Sequence, residues 1–194
     1  MSGAAPSHVL MTTDAVGGVW QYATDLAAEL ARAGTRVTLA VMGPAPNDAQ
    51  RRRLPDGVTL IEPGLPLDWL CANAAEASAA AWQLARLARS CGADLVHCNA
   101  PALVGAAAFP VPVVAAAHGC ISTWWKAAKP GSEIDPALRW HGVMMRRGLL
   151  AADAVVATVP PPAAVKITSS WPPRGSSPSI AWHSPIRCRT RPRF

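Results

Sequence analysis

The sequence predicts an α/β domain built on a doubly wound parallel sheet of about six strands. Three observations carry that prediction. Short apolar runs of strand length alternate with segments of helical periodicity along most of the chain. The first such unit, His8 to Met42, reads as strand, glycine turn, helix and strand, the repeating βαβ piece of a parallel sheet. Polar residues stand where the strands end: Asp14, Asn99 and His118. In open parallel sheets, ligands lie beyond the carboxyl ends of the strands.

Taken in order, Val9-Leu10-Met11 suits a strand buried on both faces. Gly17-Gly18 makes the turn into a helix whose stripe is Val19, Ala23, Leu26, Ala27 and Leu30, and Gly34 sits where a left-handed cap ends it. RVTLAVM (Arg36 to Met42) is the second strand. Asn47 or Asp48 caps one helical turn through Arg53, Pro55-Asp56-Gly57 signals a turn, and VTLI (Val58 to Ile61) is the third strand. Asn73 with Glu76 resembles a capping box opening a long helix to Ser90, stopped by Gly92. DLVHC (Asp94 to Cys98) is the fourth strand, and Pro101 to Ala108 suits a short helix of small residues. VPVVAA (Val111 to Ala116) is the fifth strand, and ISTWWKAA (Ile121 to Ala128) is helical. Asp135-Pro136 starts a helix reaching about Leu150, and DAVVAT (Asp153 to Thr158) is the sixth strand.

After Val159-Pro160-Pro161-Pro162 the character changes. From Lys166 onward there is no acid, Arg, Pro, Ser and Trp dominate, and no apolar period survives. The organisation expected is therefore one domain over 1–159 and a disordered basic tail over 160–194. The tail reads as GC-rich coding DNA translated in a shifted frame, with a basic interaction tail as the competing reading.

Charge follows the same division. The formal charge is +6, yet up to Val165 twelve basic residues face twelve acidic ones. The whole excess lies in Lys166, Arg174, Arg187, Arg189, Arg191 and Arg193. A neutral body argues against a nucleic-acid partner. Five cysteines without a C-x-x-C pair suit reduced thiols and a cytoplasmic location better than disulfides or zinc. No signal peptide is visible at the N-terminus. The uncharged stretch Ala100 to Ala117 carries three prolines and a glycine, so a buried helix and strand explain it better than a membrane span.

For the chemistry, Gly17 and Gly18 either let a bound group approach the backbone at a helix start or merely make a tight turn. Asp14 and Asn99 can bind hydroxyls at the strand edge or simply form turns. His118, following a strand, can act on a ligand or serve as a structural hydrogen-bonder, whereas His97, inside a strand, reads as structural. Trp20 and Trp124-Trp125 can stack on a sugar or belong to the core. Arg51-Arg52-Arg53 can attract an anionic lipid or phosphorylated ligand, although a solvated loop is the simpler reading. A nicotinamide site is disfavoured, because the first turn lacks G-x-G-x-x-G and the second strand ends Val41-Met42-Gly43 without an acid.

GGVWQYATDLAAELARAGTRVTLA resembles the opening of family 4 glycosyltransferases, enzymes of the GT-B fold. DLVHCN, VVAAAHG, the Trp-Trp of ISTWWKA and AADAVVAT are similar to further segments of that family, in the same order. The resemblance implies a Rossmann-like domain, the N-terminal, acceptor-side half of a GT-B enzyme. It also implies a retaining transferase of the hexosyltransferase type, moving a sugar from a nucleotide sugar to an acceptor hydroxyl. His118 is then the residue matching the family's catalytic histidine, and Gly17, Gly18, Asp14, Asn99 and Trp20 the candidate substrate-binding residues. No metal and no cofactor are implied, since the nucleotide sugar is a co-substrate, and peripheral membrane contact is compatible with the family. The family's donor-side pair of glutamates seven residues apart has no counterpart here, so the chain is expected to be inactive alone. A non-catalytic orphan fragment or binding module is the alternative.

Overall fold

A computed structural model describes residues 5–157 and 180–182. Its backbone is a parallel sheet of β1 (His8–Asp14), β2 (Arg36–Met42), β3 (Val58–Ile61), β4 (Leu95–Cys98), β5 (Val113–Ala117) and β6 (Ala154–Ala157). A short β7 (Ile180–Trp182) continues it beyond β6. The order is β3-β2-β1-β4-β5-β6-β7, with every pairing parallel. The chain winds outward from β1 in one direction and then, after β3, returns to build the other half from β4. The switch lies between β1 and β4, which places a ligand crevice at their carboxyl ends.

The helices are α1 (Gly18–Arg32), α2 (Asp48–Arg52), α3 (Ala74–Ser90), α4 (Pro101–Val104), α5 (Ile121–Ala128) and α6 (Arg139–Ala151). Alternation along the strands sends side chains to two cores. Val9, Met11, Val37 and Leu39 pack with Ala23 and Ala27 of α1 on one face. Leu10, Ala40, Met42 and Val96 pack with Ala77, Ala80, Ala81 and Leu84 of α3 on the other. Burial on both faces explains why these strands read as continuous apolar runs.

Local chemistry ends the elements much as the sequence suggests. Gly34 and Gly92 hold positive φ at 87° and 65° after α1 and α3. Asn47 makes a full capping box with Gln50. Asn73 caps through the backbone N–H groups of Ala75 and Glu76, but the Glu76 carboxylate accepts from Ala72 rather than from Asn73 itself, so the box is displaced by one residue. The helix expected from Asp135 begins instead as a 3-10 turn (Pro136–Leu138) under the Asp135 cap, before α6 proper. Helix α6 crosses α4 so closely that a Cβ on Gly148 would stand 1.6 Å from the Pro101 carbonyl oxygen.

The tail expected over 160–194 lies outside the described residues, apart from β7. Ile180-Ala181-Trp182 is an apolar triplet between serine- and proline-bearing segments, and the edge of β6 offers the unpaired backbone groups that such a triplet can join.

Candidate functional site

Beyond the carboxyl ends of β1, β4 and β5 lies a cavity of about 850 Å³. Asp14, Asn99 and His118 line it, each from the exit of a different strand. Three sequence-predicted residues, up to 104 positions apart, thus meet on one surface because parallel strands all end on the same side. The facing walls come from the segment after β3 (Leu67, Trp69), from α5 (Ile121, Trp124) and from α6 (Met145). They are mostly apolar, as small-molecule sites generally are.

The polar groups form a connected chain. The Asn99 side-chain amide donates to the Thr12 carbonyl oxygen at 2.6 Å, and its backbone N–H donates to Thr12 Oγ1 at 2.8 Å. Asn99 Oδ1 lies 2.7 Å from His118 Nε2. Tyr22 of α1 presents its ring edge-on to His118, with centroids 4.7 Å apart, and its hydroxyl stands 3.3 Å from His97 Nε2. Burial drives the His97 imidazole down to about 4; neighbouring His118 adds to this and a hydrogen bond with Asn99 opposes it. Burial also lowers His118, against the pull of the Asp14 charge, so both rings are neutral at neutral pH. The Tyr22 phenol is raised, again by burial. His97 therefore has the structural place that its position inside a strand suggested.

The Asp14 carboxylate accepts from the backbone N–H groups of Val16 at 2.9 Å and Gly17 at 3.2 Å. It forms the turn and also borders the cavity. Gly17 and Gly18 are exposed, and neither is among the residues lining the cavity. Gly17 has φ −151° and ψ −149°, neither glycine has positive φ, and a Cβ on either would meet nothing within 4 Å. Neither steric crowding nor a positive φ calls for glycine at this turn.

Trp20 takes the core alternative: it is only 9% exposed and is not among the residues lining the cavity. It shares the buried face of α1 with Ala23, Thr24 and Ala27, at the i, i+3, i+4, i+7 spacing that one helix face demands. Val19, one helical step away, faces the cavity instead. Of the tryptophan pair on α5, Trp124 lines the cavity and is 60% exposed, whereas Trp125 is tied to Ser132 and lies under the Lys129 ammonium.

One pair escaped sequence reasoning. His141 Nε2 lies 3.0 Å from Asp68 Oδ2, both residues are buried, and both line the cavity. A buried carboxylate without a partner costs several kcal/mol, of the order given for unpaired buried charge, so this pair fastens the segment after β3 to α6. His141 Nδ1 has no hydrogen-bond partner among the described residues. The two residues are 73 positions apart, on elements that no local pattern links.

The sequence matches the family model described as Glycosyltransferase Family 4 over residues 16–161. The chain belongs to glycosyltransferase family 4. Among curated proteins none matches it. Solved structures of similar fold include MurG of Acinetobacter baumannii, with 16% identity and a TM-score of 0.50 over 90% of this chain and 44% of that one. Apo UGT2 of Phytolacca americana shares 13% identity with a TM-score of 0.53, over 80% of this chain and 46% of that one. LpCGTa, solved in complex with UDP, shares 18% identity with a TM-score of 0.52, over 80% and 47%. At such identities the likeness is one of fold. The chain spans less than half the length of each. Among the described residues, no helix of this family 4 chain is long and apolar enough to cross a membrane.

Proposed function

We propose that this chain is the acceptor-side domain of a retaining glycosyltransferase that moves a sugar from a nucleotide sugar to an acceptor hydroxyl in the cytoplasm. The observation that carries the reading is the convergence of Asp14, Asn99 and His118 on one cavity at the switch point of a family 4 domain. Transfer requires the acceptor oxygen to be held against the anomeric carbon and the leaving diphosphate to be stabilised. Both are positional and electrostatic tasks. A neutral His118 suits hydrogen bonding to a sugar hydroxyl better than neutralising a phosphate. The apolar wall and the exposed ring of Trp124 suit the face of a sugar or of its acceptor. Gly17 and Gly18 leave open space beside the start of α1, where a diphosphate gains from the helix dipole.

In this reading the reaction takes no cofactor, and turnover requires a donor-binding domain facing the cavity. The test is to join the chain to the donor domain of a family 4 enzyme and follow transfer from a radiolabelled nucleotide sugar. His118→Ala should lower kcat by roughly 10²-fold, the scale of losing one positioned hydrogen-bonding group at a reaction centre. Undiminished transfer by that variant would reject the role of His118. Absence of any transfer across a panel of nucleotide sugars would favour the non-catalytic reading.

A further inference from the structure

We infer that Asn99 is a positioning residue for His118, holding its imidazole with the proton on Nε2, and that Tyr22 fixes the plane of the ring. This rests on the reading of His118 as the reaction-centre histidine, and it gives Asn99 a different task from binding acceptor hydroxyls.

The orientation of the Asn99 amide follows from chemistry alone. A carbonyl oxygen can only accept, and the Thr12 carbonyl lies 2.6 Å from Asn99 Nδ2, so that atom is the NH₂ group. The other amide atom is then the oxygen, and it faces His118 Nε2 at 2.7 Å. An amide oxygen cannot donate, so His118 Nε2 must carry the hydrogen. Thr12 is itself 1% exposed, and its hydroxyl accepts the Asn99 backbone N–H. The latch therefore stands on the middle of β1, spans to the exit of β4 and ends on the exit of β5.

Tyr22 closes the ring from α1. Its edge-on contact with His118 and its hydroxyl beside His97 leave the His118 imidazole packed on one side and hydrogen-bonded on another. Among the described residues, Asn99, Tyr22, Asp14 through its charge, and His97 act on His118. The Asp14 charge favours the imidazolium, and burial outweighs it. A reaction-centre histidine fixed in tautomer, plane and charge state is preorganised, which is where enzymes gain much of their rate.

The test uses the 194-residue chain labelled with ¹⁵N, recording the histidine ring nitrogens against pH, with the backbone amide spectrum as the control for folding. His118 should show a slowly exchanging proton on Nε2. Asn99→Ala should lose that signal. Tyr22→Phe should leave the tautomer in place, whereas Tyr22→Ala should broaden the ring signals. A proton found on Nδ1 in the wild type, or His118 spectra unchanged in Asn99→Ala, would overturn the inference. In the joined, donor-domain-bearing enzyme, Asn99→Ala should lower kcat with KM nearly unchanged. A raised KM with kcat retained would make Asn99 a substrate ligand and sink the positioning role. Should the joined wild type transfer nothing, the transferase reading fails, while the ring spectra still decide on Asn99.

Discussion

The two edges of the sheet use the same side chains for opposite purposes. At the amino edge, Asp94 accepts from the backbone N–H groups of Ser7 and His8 and from the Ser7 hydroxyl, while its own N–H donates to the His8 carbonyl. Asp153 repeats the device: its carboxylate accepts from Val113 N–H and its N–H donates to the Val113 carbonyl. In both cases an acid just before one strand stitches the start of its neighbour. His8 is likewise consumed, its ring between Thr38 Oγ1 and the Arg36 guanidinium. At the carboxyl edge, Asp14, Asp68, Asn99 and His118 are also hydrogen-bonded, yet they border a cavity. Asp94 and Asp153 at the amino edge complete the sheet. The polar groups at the carboxyl edge are organised around space.

That contrast can be broken by substitutions at either edge. The largest effect expected is the roughly 10²-fold loss of kcat for His118→Ala in the joined enzyme, with the thermal midpoint of the isolated chain little changed. Next comes the helix contact behind the cavity. Gly148→Ala must push α6 off Pro101, and urea unfolding should show a loss of about 1–3 kcal/mol, the range for overpacked sites. At the amino edge, Asp153→Ala leaves the N–H of buried Val113 without its acceptor and should cost about 1–2 kcal/mol of stability with no kcat effect.

A subtler comparison uses pH. Hydrogen bonds, from the Ser7 hydroxyl first, hold the Asp94 carboxyl below its usual range. Its folded value lies below the unfolded one, so its contribution is fully present above about pH 4 and is lost as pH falls through the folded value. The difference in thermal midpoint between wild type and Asp94→Ala should therefore shrink as pH is lowered from about 5 toward 3. The smallest stability effect belongs to the carboxyl edge. Gly17→Ala should change unfolding free energy by less than about 0.5 kcal/mol, since φ is negative and the space is open, while transfer in the joined enzyme falls. A Gly17→Ala variant that loses stability as well would return the turn to a purely structural role.

Much of the fold was legible along the chain because it rests on local patterns. A strand covered on both faces must be apolar throughout, and Val9 to Met11 and Leu39 to Val41 are. Helix ends need caps, and Asn47, Asn73 and Gly34 supply them. Of the site, the residues at strand exits were legible, since topology brings all exits of a parallel sheet together. The two readings of Trp20 could not be separated along the chain. Adjacent residues on a helix point about 100° apart, so either Val19 or Trp20 can lead the buried stripe, and only packing against the sheet selects the tryptophan.

By itself, then, the sequence determined the order of the elements, their parallel arrangement, the family and the edge at which Asp14, Asn99 and His118 stand. These follow from periodicity and chain direction, which act over a few residues. The tertiary structure alone decided which groups touch: the Asp68–His141 clasp, the α4–α6 approach at Gly148 and the Thr12–Asn99–His118 latch with Tyr22 against its ring. Those contacts join residues far apart in the chain, and their geometry is set by the packing of whole elements, which no local pattern encodes.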